Sequence, residues 1–152
     1  MTEINDYISH LVHIQKILPK WIEEIIIAKQ GKILQEIKLR LWNTGLDAKG
    51  NEILPSYKPS TIRWKKNTKY ARTSHVTLRD TGAFYAGMYL FLSKDELFVS
   101  SRDPKTPSLI KKYGPDILGL TVDEQRILMY SILEPEIQKR LDELPDLEVL
   151  KT

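Results

Sequence analysis

Residues 78–120 read LRDTGAFYAGMYLFLSKDELFVSSRDPKTPSLIKKYGPDILGL, and the fold turns on how this stretch is parsed. Asp80-Thr81-Gly82 is a turn signal that opens into a ten-residue apolar run, Ala83 to Leu92. Ser93-Lys94-Asp95-Glu96 is a polar tip, and Leu97 to Val99 is a second apolar run. Two such runs around a short polar tip predict a β-hairpin. Read as one strand, the first run is apolar on both faces. Phe84, Ala86, Met88, Leu90 and Leu92 lie on one side, and Tyr85, Tyr89 and Phe91 on the other. A sheet wet on one face should alternate. The second face therefore needs a cover, and Phe84, Tyr85, Tyr89 and Phe91 become candidate subunit-interface residues.

Upstream, Ile4, Tyr7, Ile8, Leu11, Val12 and Leu18 recur at helical spacing, and Pro19 is expected to end that helix or open the next. From Lys20 to Trp42, Ile22, Ile26, Ile33, Ile37 and Leu41 form the stripe of a long amphipathic helix, in which Gly31 could mark a bend. Asn43 to Pro59 reads as a loop, Thr61 to Lys66 as a short basic helix capped by Ser60, and Asn67 to Val76 as extended. Downstream of the hairpin, Leu109 to Tyr113 reads as a short helix stopped by Gly114-Pro115. Thr121-Val122-Asp123-Glu124 is a capping box. The helix it opens carries Met129, Leu133, Ile137, Leu141 and Leu144 on one face, with Pro135 expected to kink it.

The sum is an α+β domain, long amphipathic helices packed on a small antiparallel β-sheet. It divides into N-terminal helices at 1–42, an extended basic loop region at 43–77, the hairpin at 78–101 and C-terminal helices at 109–144. At 152 residues, 41% hydrophobic and 28% charged, the chain suits one globular domain with a core of its own. It holds no cysteine, which excludes disulfides and thiolate metal sites. A polar, acidic start and a longest apolar run of about half a membrane span predict a soluble protein with no membrane partner.

Net charge is +3, unevenly spread. Lys58, Arg63, Lys65, Lys66, Lys69, Arg72 and Arg79 lie in a run without any acid, while from Asp116 onward nine acids face four bases. The basic residues, Lys58 to Arg72 above all, are candidates for contact with a partner protein or with DNA. The alternative is that the two segments neutralise each other within one subunit. Arg63-Trp64-Lys65-Lys66, with Tyr70 and Arg72, interleaves aromatics with bases as nucleic-acid binders do. Its competing reading is a solvated basic helix with Trp64 packed inward.

Catalytic and metal signals are sparse. Asp6, His10 and His13 share a helix face that could hold zinc, but such sites draw ligands from more than one segment. Surface histidines are the simpler reading, and no metal is assigned. Ser74-His75 lacks a nucleophile elbow and reads as polar loop. No Gly-rich phosphate loop is present, so no cofactor is expected, and the chain reads as a non-enzyme.

A long amphipathic helix ends in Gly45-Leu46-Asp47-Ala48-Lys49-Gly50. Pro55-Ser56-Tyr57-Lys58-Pro59-Ser60-Thr61 and Lys65 follow, then Leu78-Arg79-Asp80-Thr81-Gly82 before the hairpin, and Tyr113-Gly114 after it. In this order the pieces resemble the tailed-bacteriophage virion morphogenesis family, which includes tail-completion and head–tail neck proteins. The resemblance covers roughly Trp42 to Leu120. It departs at Pro115-Asp116-Ile117-Leu118-Gly119-Leu120, where the family carries a Pro-x-Arg-Pro-Phe-like segment. It implies a structural virion protein, assembled in the host cytoplasm into a homo-oligomeric ring, six- or twelve-fold, at the neck or at the tail terminator or completion position. Its partners would be portal, neck and tail proteins, with non-specific DNA contact in the channel. The alternative from another class is a basic nucleic-acid-binding module. A small hydrolase is a third reading.

Overall fold

The computed structural model describes residues 2–144. It is an α+β fold in which one long helix, a two-stranded hairpin and a set of shorter helices enclose a common core.

The long helix, α1 (Thr2–Thr44), runs 43 residues without a break. At 1.5 Å per residue that is about 65 Å. The break expected at Pro19 is absent. Proline withholds one N–H from the helix ladder, and Pro19 is exposed, where water can serve the orphaned carbonyl. Gly31 is likewise exposed, with nothing near the place of a Cβ. The second half of α1 supplies the core: Ile25, Ile26, Ile33, Leu34, Ile37 and Leu41 are all buried. The first half projects. Ile4, Ile8 and Leu11 form a stripe that remains exposed.

After α1 the chain closes a tight turn. Gly45 has φ +64 and a Cβ there would strike the His75 ring at 2.7 Å, so only glycine fits. Asp47 Oδ1 accepts from the N–H groups of Lys49 and Asn51, and Ile53 N–H returns to Gly45 O at 3.0 Å. A short helix α2 (Pro59–Lys65) follows, with proline in its first turn, where no donor is missed.

The region expected to start the hairpin is instead a helical turn, α3 (Ala83–Ala86). Gly82, at φ +90, redirects the chain into it. Successive residues of a helical turn point about 100° apart, so Phe84 and Tyr85 both enter the core, each 3% exposed. The two-sided apolar pattern is thus partly helical in origin. The strands are β1 (Met88–Ser93) and β2 (Glu96–Ser101), antiparallel, with Ser93 opposite Glu96 and Met88 opposite Ser101. Only Lys94 and Asp95 lie between them, both left-handed at φ 51 and 63, the two-residue hairpin turn. Met88 and Leu90 are buried, while Phe91 and Phe98 face outward. Gln30 of α1 pins the sheet, its Oε1 accepting the Leu90 N–H at 2.8 Å.

The remaining helices are α4 (Thr106–Tyr113), a 3-10 turn Pro115–Ile117, α5 (Val122–Arg126), a π-helical stretch Ile127–Leu133 and α6 (Glu134–Asp142). The capping box forms as expected: Glu124 N–H donates to Thr121 Oγ1, and Thr121 N–H to Glu124 Oε1. The Glu124 carboxylate also meets Arg40 Nη1, while Arg40 Nε and Nη2 donate to Leu46 O and Gly119 O. One guanidinium thus joins α1, the Gly45 turn and α5. Pro135 does not simply kink a single α-helix. It offers no N–H to Ser131 O, and the ladder just before it widens into the π register. α6 runs back along α1, with Lys29–Glu136 and Arg140–Glu24 contacts at 3.9 and 2.7 Å.

Candidate functional site: a lysine-rimmed cleft and an outer aromatic face

α2 shows an inversion that decides the site. Lys65 is fully buried at 0% exposure, and its neighbour Trp64 is 56% exposed. Lys65 Nζ donates to Arg79 O and to Asp80 Oδ1, each at 2.9 Å, and lies 5.1 Å from the centre of the Tyr57 ring. A buried ammonium needs such partners. Lys65 therefore joins α2 to the 79–82 turn and is no free contact for a partner or DNA. Asp80 is the first acid after the acid-free run, which is the sequence signal for this pair.

Behind the pair is a polar network around buried Thr77. Tyr57 Oη accepts from Thr77 N–H at 2.9 Å, and Tyr85 Oη donates to Thr77 O at 2.5 Å. Burial raises the Tyr85 phenol above its ordinary range, against the opposing pull of the Arg79 guanidinium. Arg79 itself is packed among rings, 4.1 Å from the Tyr70 centroid and 5.0 Å from that of Tyr85.

In front of the pair opens a cleft of about 550 Å³. Three segments remote in sequence line it: 55–64, 78–84 and 103–113. Leu78, Phe84 and Leu109 supply apolar wall, Tyr57, Trp64 and Tyr113 aromatic surface, and Lys58, Lys105 and Lys112 a cationic rim. Its two acids are already engaged. Asp80 holds Lys65, and Asp103 Oδ1 accepts the Lys105 backbone N–H at 3.1 Å. The Pro/Tyr segment, the Thr-Gly turn and Tyr113, separate in sequence, all meet at this cleft.

The other expected contact residues separate. Arg63, Lys66 and Lys69 are exposed; Arg72 stacks over Trp42, its centre 4.9 Å away, and donates to Trp42 O. Of the four interface candidates, Phe84 and Tyr85 are not interface residues but part of the chain's own core, buried under its own helices and strands. Tyr89 is half-buried and Phe91 exposed on the outer face of the hairpin. There Tyr89, Phe91 and Phe98 form a row of rings, centroids 5.7 and 5.3 Å apart, with Arg102 over Tyr89 at 4.3 Å. Beside them runs a groove of about 350 Å³ against α1, bordered by Ile27, which is 62% exposed. No local sequence signal marks Phe98 or Ile27 as part of this face. The register Phe91 opposite Phe98 makes the ring row possible.

Ser74 Oγ lies 3.0 Å from His75 Nδ1, but the other ring nitrogen meets Trp42 O at 2.8 Å, a backbone carbonyl where a triad would place a carboxylate. Asp6, His10 and His13 lie on the projecting part of α1. Among the described residues no three His, Asp or Glu side chains converge as a metal site, and no helix is long and apolar enough to cross a membrane. No family model, curated protein or solved structure matches the chain.

Proposed function

We propose that this chain is a structural assembly subunit of a tailed-phage virion, forming a ring at the head–tail neck or at the tail terminator or completion position. The observation that carries this is the outer face of the hairpin. Tyr89, Phe91, Phe98 and Ile27 leave an apolar surface open on a chain whose own core is already filled. Contiguous apolar surface of this kind marks an interaction site. A head-to-tail contact through it, meeting a different surface of the next copy, closes into a ring when the rotation permits. The order of the motifs between Trp42 and Leu120 supports the phage assignment, with portal, neck and tail proteins as neighbours, six- or twelve-fold symmetry, virion localisation and no catalytic role.

A second reading, a basic nucleic-acid-binding module, is favoured by Trp64, exposed between Arg63 and the rim lysines. Such a module stacks bases on the indole and loses affinity steeply with salt.

Native mass spectrometry and negative-stain electron microscopy of the purified chain test the ring. The expected result is a closed oligomer that the double change Tyr89→Asp, Phe91→Asp reduces to folded monomers. A wild-type chain that stays monomeric at all concentrations, yet binds single-stranded DNA with steep salt dependence, would replace the first reading with the second.

A further inference from the structure

We infer that the lysine-rimmed cleft receives segment 143–150 of a second copy of this chain. The inference rests on the ring reading and adds, beside the hairpin contact, a second contact between neighbouring copies through a different pair of surfaces. Segment 143–150 reads Glu-Leu-Pro-Asp-Leu-Glu-Val-Leu. Acids at 143, 146 and 148 alternate with apolar residues at 144, 147, 149 and 150. The cleft offers the complement, three exposed ammonium groups (Lys58, Lys105, Lys112) around apolar and aromatic wall. Of its own two acids, Asp80 is neutralised by Lys65, and Asp103, which accepts the Lys105 backbone N–H and keeps its charge, is outnumbered by the three ammonium groups. Charges placed this way choose a partner and its register.

Geometry decides between the same chain and another. α6 leads away from the cleft. Arg140 meets Glu24, and four residues later the described chain stops at Leu144. The cleft is toward the C-terminal end of α1, where Arg79, whose carbonyl holds Lys65, packs 5.3 Å from the Trp42 ring. From Glu24 to Trp42 the helix rises roughly 27 Å at 1.5 Å per residue. Six residues from Leu144 to Leu150 reach at most about 20 Å fully extended. By these lengths segment 143–150 falls short of its own cleft, which leaves a neighbour's to receive it. The contact is between unlike surfaces, the kind that propagates round a ring.

Zero-length carbodiimide cross-linking of a mixture of isotopically heavy and light full-length chains reads the contact directly. Expected are peptides linking Lys58, Lys105 or Lys112 to Glu143, Asp146 or Glu148, with heavy joined to light. Reversal of charge supplies the second arm. The Lys58→Glu, Lys105→Glu, Lys112→Glu chain and the Glu143→Lys, Asp146→Lys, Glu148→Lys chain should each self-associate at least tenfold more weakly in sedimentation. Mixing the two should restore pairing. Cross-links confined to chains of one isotope, or variants that associate like wild type, would overturn the inference. So would loss of the cross-links on adding an equimolar thymidine oligonucleotide, which would make the cleft a nucleic-acid site. Closed rings without these cross-links would sink this contact and keep the ring; cross-linked open chains would keep the contact and sink the ring.

Discussion

Replacing Lys65 with methionine separates the structure's account of the basic segment from the one its sequence suggests. Methionine keeps most of the stem that fills the space under α2 and removes only the ammonium. Two hydrogen bonds of 2.9 Å are lost, to Arg79 O and to Asp80 Oδ1. Breaking a fully buried ion pair costs roughly 3–5 kcal/mol, because the remaining charge has no solvent. Asp80 is 46% exposed and regains water, so that full penalty does not apply. What remains is a carbonyl without its donor and a lost charge-assisted bond, about 1–3 kcal/mol. For a chain of this size that lowers the melting temperature by roughly 2–12 °C. Urea unfolding of Lys65→Met beside Lys66→Met measures it, since the exposed neighbour should shift by no more than about 0.5 kcal/mol. A double-mutant cycle with Asp80→Asn should return a coupling of roughly 0.5–3 kcal/mol. If Lys65→Met and Lys66→Met unfold within about 0.5 kcal/mol of each other with equal urea slopes, Lys65 is solvated in solution and the joint between α2 and the 79–82 turn does not exist.

Ile37, fully buried on α1, should cost about 2–5 kcal/mol when cut to alanine, and half-buried Leu133 clearly less; equal losses in chemical unfolding would mean that α6 and the π stretch cover α1 more tightly than the structure has them. Tyr85, with its phenol raised by burial, contributes stability that is complete below the unfolded value near 10 and declines as pH rises beyond it toward the folded value. Tyr85→Phe should therefore be less stable at pH 8, from the lost bond to Thr77 O, and the gap should narrow in urea melts between pH 9 and 11; parallel curves across that range would refute the buried-phenol account.

The parts of the fold that follow a local rule were legible in the chain itself. Thr121 and Glu124 form the capping box that their spacing announces, and the alternation from Met88 to Leu92 places Met88 and Leu90 inward. The failures share a cause, which is that the deciding contact comes from elsewhere in the chain. Phe84 and Tyr85 read as strand because an apolar run does not carry its own period; Gly82 and its left-handed backbone set the helical turn. Lys65 and Trp64 exchange their expected places because Asp80, the Arg79 carbonyl and Tyr57 converge on position 65 from two other segments. On spacing alone, an aromatic beside a lysine goes inward, and only a partner for the ammonium reverses the preference. The cleft follows the same logic at larger scale. Residues 55–64, 78–84 and 103–113 carry their motifs in a fixed order, yet nothing in that order says that they share one wall. Once Lys65 fastens α2 to the 79–82 turn, the indole of Trp64 has no place in the core and stands at the mouth of the cleft. The inversion that defeats the local reading is thus what gives the cleft its aromatic surface, and a substitution that frees Lys65 should disorder that surface before it disturbs the rest of the fold.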